Sequence, residues 1–277
     1  MAEIQPQERW WDDPATGQKL LSRVWVSPKA RGWLVLVHGF GEHGGRYLPL
    51  GSALAEQGIG VICTDLPGHG RSSGARGDCH SIQQHVEMLQ AVARDLCGVT
   101  RSLAVFGHSL GGLIAVHWAL RSPASLRCLI LQGPLLEVGF RIPPWKIRLA
   151  DGLARVWPAA PVPMGLNPAW LSHDEEVVRQ YRRDPLIVRA MTARASVVIR
   201  MAMAQAREQA PAVTVPTLMM WGTADQVVSV PACEQWYATL ICERRLKTFS
   251  GSFHELHHEA VREDARNELV QWVEAHA

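Results

Sequence analysis

Along most of this chain, short apolar runs of strand length alternate with longer stretches of helical period. That is the pattern of a mostly parallel sheet covered by helices on both faces. Strands are predicted at 22–26 (SRVWV), 33–37 (WLVLV), 60–64 (GVICT), 103–107 (LAVFG), 128–132 (CLILQ), 217–221 (TLMMW) and 246–249 (LKTF). Helices are predicted at 47–57, 81–97, 109–121, 231–241 and 258–275. One segment breaks the alternation. From Pro134 to Pro211 there is no strand-like run, and nine of the seventeen prolines fall there, so short helices joined by proline turns are expected. The chain therefore divides into a core of 1–133 and 212–277 and an insert of 134–211.

Charge sharpens this division. The insert carries eleven basic and seven acidic side chains, net +4, whereas the rest carries seventeen and nineteen, net −2. Within it, PPWKIRLADGLARVW places Trp145, Leu149, Leu153 and Val156 on one helical face, with Lys146, Arg148 and Arg155 elsewhere. Packing onto the body of the protein is the expected role of that stripe; the alternative is a basic amphipathic helix resting on an anionic lipid surface.

Composition adds mainly exclusions. A chain of 277 residues with 47% hydrophobic content can bury a large core. Its net charge of +2 gives no reason to expect nucleic acid. The start, MAEIQPQERWWDDP, has no basic opening or apolar run, and no stretch approaches the roughly 20 apolar residues of a membrane span. A soluble, cytoplasmic protein is expected. The six cysteines show no C-x-x-C spacing and are expected to be reduced core thiols.

The strongest chemical signal is VFGHSLGG (105–112), in which Gly107-His108-Ser109-Leu110-Gly111 satisfies G-x-S-x-G between a predicted strand and a predicted helix. In that setting the serine sits on a tight corner, and the helix amino terminus lends a positive dipole. A serine hydroxyl needs a base, and the base needs a group to orient it. Asp225 follows a late strand in TLMMWGTADQVV, and His254 follows the last one in LKTFSGSFHE, so the order Ser, Asp, His suits an α/β-hydrolase. The glycine-rich loop HGFGEHGGRY (38–47) follows the strand 33–37 and suits an oxyanion hole, assigned to the N–H groups of Phe40 and Leu110. His38 is expected to be structural. Glu42, His43 and Arg46 either hold the loop together or, with His108, form a polar rim for substrate.

Together HGFGEHGGRY, DLPGHGRSSG (65–74), FGHSLGG, GTADQVV and FHELHHE resemble, in order, the monoacylglycerol lipase and lysophospholipase-like family of serine α/β-hydrolases. The resemblance implies a nucleophile at Ser109, an acid at Asp225 and a base at His254. It also implies an α/β-hydrolase fold with a helical lid, here 134–211, inserted after strand 6, and RDPL (183–186) resembles a stretch recurring in such lids. The implied activity is hydrolysis of a lipid-like ester, foremost a monoacylglycerol, without cofactor; a lysophospholipase or a short- to medium-chain carboxylesterase would use the same residues. A peripheral membrane contact would run through the lid, and the oligomeric state is left open.

FHELHHE (253–259) also matches the zinc-protease pattern H-E-x-x-H. That chemistry needs His254 and His258 on one face of a continuous helix and a third ligand beyond it. The preceding SGS argues for a loop, so no metal is expected, and Glu255, His257, His258 and Glu259 are assigned to the start of the last helix or its packing.

Overall fold

The computed structural model describes residues 4–27, 30, 32–98 and 103–276. The chain opens with β1 (Gln7–Asp12), β2 (Lys19–Trp25), β3 (Gly32–Val37), α1 (Leu48–Glu56), β4 (Ile59–Thr64) and α2 (Ile82–Cys97). It continues through β5 (Leu103–His108), α3 (Leu110–Arg121) and β6 (Leu126–Gln132). Next come α4 (Pro144–Val156), β7 (Pro161–Pro163), α5 (Glu175–Arg183), β8 (Ala190–Thr192) and α6 (Ala193–Glu208). β9 (Thr217–Gly222), α7 (Val230–Thr239), β10 (Arg244–Phe249) and α8 (Arg262–Ala275) complete it.

Eight strands form one sheet in the order β1-β2-β4-β3-β5-β6-β9-β10. β1 and β2 run antiparallel to their neighbours, and the remaining pairs are parallel. Period-two alternation builds a core on each face. In β3, Leu34 and Leu36 point to a cluster with Phe106, Ile130 and Trp272, on the side of α1 and α8. Val35 and Val37 point the other way, to Val86, Leu113 and Trp118 of α2 and α3. All six parallel strands end at one edge, where loops carrying polar residues gather.

The seven predicted strands are present, and three more appear. β1 escaped notice because QERWWD is largely charged and exposed, as suits an edge strand. The expectation of no strand between 134 and 211 is corrected: β7 and β8 pair antiparallel, Pro161 opposite Thr192 and Pro163 opposite Ala190. Such a ribbon leaves one edge free, which is where proline is tolerated. The packing expected for the α4 stripe is also corrected. Trp145, Leu149 and Val156 are 61%, 54% and 82% exposed, and Ala150 is the residue α4 buries.

Several contacts tie the segment between β6 and β9 to the core. Val188 N–H donates to Gly41 O at 2.8 Å and Thr192 N–H to Gly77 O at 3.0 Å, while Arg194 pairs with Asp78. His43 Nε2 lies 2.8 Å from Asp184, a member of RDPL. The four cysteines 63, 79, 128 and 233 are buried, and burial pushes the Cys79 and Cys128 thiols up to about 12. No helix among the described residues is long and apolar enough to cross a membrane.

Candidate active site

Ser109 sits between β5 and α3 at φ 53°, ψ −117°, the single non-glycine residue with positive φ among those described. Such a conformation costs about 1–3 kcal/mol and is kept only where the surroundings enforce it. The flanking glycines show how. A Cβ on Gly107 would stand 2.3 Å from Gly111 O, and one on Gly111 would stand 2.0 Å from Val37 O. The turn therefore closes only with glycine at both positions. As the first residue of α3, Leu110 has an N–H with no acceptor inside the helix, at the positive end of the helix dipole.

His254 and Asp225 meet from two other strand ends. His254 Nδ1 lies 2.7 Å from Asp225 Oδ2, and both side chains are buried, at 2% and 0%. The other Asp225 oxygen accepts the N–H groups of Val227 (2.8 Å) and Val228 (3.1 Å), which fix the carboxylate. Burial opposes the imidazolium, but the charge and hydrogen bond of Asp225 outweigh it, with Glu255 and Glu42 adding, so the His254 pKa lies above its ordinary value. His108, its ring 4.5 Å from that of His254, is pushed the other way to about 4 by burial and by His254 itself.

The loop 38–47 is held by its own side chains. His38 Nε2 accepts Leu66 N–H at 2.9 Å, so its Nδ1–H donates to Gly39 O at 2.8 Å. Glu42 Oε1 accepts Gly39 N–H (2.6 Å) and Tyr47 O–H (2.7 Å), and Glu42 Oε2 accepts Arg46 Nη1–H (2.9 Å). These bonds set the backbone around Phe40.

Ser109, His254 and Phe40 line one cavity of about 590 Å³, bounded mainly by apolar side chains such as Leu135, Val138, Leu166, Met191 and Val227. Of the four rim candidates, Glu42 and His108 line it, while His43 and Arg46 are not among its lining residues. Trp145 lines the cavity and is also exposed, Trp157 is exposed, and Trp170 packs 5.5 Å from the Phe140 ring.

A serine on a strained strand-to-helix corner and a carboxylate-held histidine are thus brought to one apolar cavity at the carboxyl ends of parallel strands. Residues 28–261 match the Hydrolase_4 family, described as serine aminopeptidase, S33. The chain belongs to this family of α/β-hydrolases. It is 29% identical to a monoacylglycerol lipase of Mycolicibacterium smegmatis over 94% of each chain. With human monoglyceride lipase it shares 32% identity over 94% of this chain and 88% of that one. The crystal structure of Paleococcus ferrophilus monoacylglycerol lipase is similar, with a TM-score of 0.86 and 30% identity over 93% of this chain and 99% of that one.

In this family member the H-E-x-x-H letters form no helix. Residues 256–258 are a single 3-10 turn, and α8 begins only at Arg262, so the assignment of 255–259 to the start of the last helix is corrected. Glu255 is buried on Arg46, His257 Nδ1 accepts Gln132 Nε2–H at 2.8 Å, and Glu259 accepts His173 N–H at 2.9 Å. Among the described residues, Glu255, His257 and His258 form a group whose ligand atoms lie within 4.8 Å of one another. Both Glu255 oxygens already take Arg46 N–H bonds, and a guanidinium at that distance repels a cation. The set fits a metal poorly.

Gln132, Asp184 and Glu255 were not singled out from the sequence as site neighbours. For Asp184 the sequence carries a signal, because RDPL and HGFGEHGGRY are both family-like stretches and Asp184 pairs with His43 of the latter. Gln132 lay inside an apolar strand, where one terminal polar residue carries no pattern.

Proposed function

We propose that this chain hydrolyses carboxylic esters, foremost monoacylglycerols, through an acyl-serine intermediate. The observation that carries this is Ser109 on its strained turn, sharing an apolar cavity with a histidine bonded to a buried carboxylate. In the scheme, His254 Nε2 takes the Ser109 proton as Oγ attacks the ester carbonyl. The N–H groups of Phe40 and Leu110 hold the oxyanion, losing either of which would cost about 3–4 kcal/mol. His254 then protonates the leaving alcohol. Water, deprotonated by the same histidine, attacks the acyl group and releases the fatty acid. Asp225 keeps Nδ1 protonated and stabilises the imidazolium. Every proton step uses His254, and the scheme needs no cofactor.

The segment 134–211 acts in this proposal as a lid. Its apolar side chains suit a long acyl chain, and the exposed Trp145, Leu149, Val156 and Trp157 beside Lys146, Arg148 and Arg155 suit peripheral contact with an anionic membrane, from which such substrates are drawn. Purified protein should hydrolyse monoacylglycerols and p-nitrophenyl butyrate, and Ser109→Ala should lose nearly all of both activities. Undiminished turnover by that variant would remove the assignment. Flotation with vesicles containing phosphatidylserine, reduced by Trp145→Ser with Trp157→Ser, tests the membrane contact.

A further inference from the structure

Three charged side chains meet beside the reaction centre. Arg46 Nη1–H donates to Glu42 Oε2 at 2.9 Å and to Glu255 Oε1 at 2.5 Å, and Arg46 Nη2–H donates to Glu255 Oε2 at 2.7 Å. One guanidinium thus serves two carboxylates. Both carboxylates are buried, Glu42 at 3% and Glu255 at 2% exposure, and the Arg46 side chain is 9% exposed. Anchoring the loop 38–47 by itself requires only one carboxylate on Arg46, and Glu42 supplies it, while Glu255 ties Arg46 to the loop after β10. The second leaves an uncompensated negative charge where water is scarce, which a folded protein carries only at a cost.

The residues that bear it border the cavity. Glu42 and Glu255 both line it, and the guanidinium is not among its lining residues. The charge also lies beside Ser109 and next to His254, the group proposed to protonate the leaving alcohol. A Cβ built on Gly39 would stand 2.9 Å from Glu42 Oε1 and 3.2 Å from Ser109 Cβ, and Glu255 directly follows His254.

The surroundings do not neutralise it. Burial lowers the pKa of His108 to about 4 and lowers those of His257 and His258, so none of these adds a cation at neutral pH. When His254 is protonated, its charge is matched by Asp225. Among the lining cations, Arg200 pairs with Asp151, and Arg141 and Lys146 are exposed and screened by water.

Resting on the ester-hydrolase proposal, we infer that Glu255, together with Glu42, determines specificity for the alcohol half of the substrate. It admits monoacyl esters of uncharged alcohols and rejects those whose alcohol carries a phosphate. At an effective dielectric of about 20 and a separation of about 6 Å, one unit of like charge lowers binding about a hundredfold.

The test compares kcat/KM for 1-decanoylglycerol, its 3-phosphate, and the uncharged dimethyl ester of that phosphate, all below their aggregation limits, with p-nitrophenyl butyrate as a substrate lacking the head group. The expected preference for decanoylglycerol over its phosphate is about a hundredfold, and the dimethyl ester should recover most of the difference. Glu255→Gln keeps a hydrogen bond to Arg46 and makes the cluster neutral, so the preference should fall at least about tenfold. Equal turnover of the lipid and its phosphate overturns the inference, as does rejection of the dimethyl ester to the same degree as the phosphate. A folded Glu255→Gln protein with an unchanged preference overturns it as well. Should that variant not fold, the three wild-type rates decide. In all these cases hydrolysis of p-nitrophenyl butyrate leaves the ester-hydrolase proposal standing. Absence of every activity, p-nitrophenyl butyrate included, removes that proposal and the inference with it.

Discussion

Replacing Asp225 by asparagine changes one atom in the buried pair and tests the proposed base directly. The oxygen that accepts the Val227 and Val228 N–H groups at 2.8 and 3.1 Å can remain, which turns the amide NH₂ toward His254 Nδ1. A donor then faces Nδ1, so the imidazole must carry its proton on Nε2, where the Ser109 hydroxyl needs an acceptor. Loss of the right tautomer and of imidazolium stabilisation should lower kcat about 10⁴-fold, equivalent to about 5.4 kcal/mol. The pH dependence supplies a second reading. The base works neutral, so kcat/KM rises with pH through the His254 pKa, which Asp225 holds above its ordinary value. The acidic limb should therefore lie above pH 6.5 in the wild type and shift to lower pH in the residual activity of the variant. The assay is p-nitrophenyl butyrate hydrolysis across pH, with circular dichroism and thermal melting to confirm the fold. A folded Asp225→Asn protein that keeps more than about a tenth of wild-type kcat/KM would refute the reasoning.

Three other outcomes are expected. Ser109→Gly should abolish activity yet raise the melting temperature by about 2–4 °C, since glycine relieves roughly 1 kcal/mol of strain at φ 53°; differential scanning calorimetry measures it. Arg46→Met should destabilise the protein by about 3–5 kcal/mol in urea unfolding at pH 7, because two buried carboxylates lose their shared cation. In the wild type Arg46 holds the Glu42 pKa at about 2 and lowers that of Glu255, so their contribution is full above about pH 4.5 and lost as pH falls toward 2. In the variant both values rise, and the deficit should shrink as pH falls. Prolonged dialysis against EDTA should leave activity unchanged; loss restored by zinc would implicate Glu255, His257 and His258 after all.

The fold was legible where periodicity and burial coincide. Parallel strands buried on both faces read as continuous apolar runs, so β3, β4, β5, β6 and β9 stood out, whereas β1 depends on pairing with β2 and not on its own pattern. The segment between β6 and β9 was legible as a break in the strand–helix alternation but not in its detail. Its three-residue strands are fixed by backbone partners distant in sequence, Pro161 with Thr192, and no local pattern announces them. The apolar stripe of α4 is visible in the sequence, but which side meets the protein depends on where α6 lies, and Ala150 is the residue α4 buries.

The stretch FHELHHE shows why side-chain roles are harder to read than elements. As letters it offers a zinc motif; as a position just past the last strand it offers a base, and strand order alone favours the second. What no local pattern could supply is the partner of Glu255. It lies 209 residues earlier, at Arg46, because β3 and β10, though separated in the sheet, deliver their following loops to the same edge. The pairing has a mechanical consequence. Glu42 pins Gly39 beside Phe40, Arg46 joins Glu42 to Glu255, and Glu255 is covalently next to His254. The loop proposed to hold the oxyanion and the loop proposed to carry the base are thereby one rigid unit, so a change at Arg46 should misplace both at once and lower kcat far more than it raises KM.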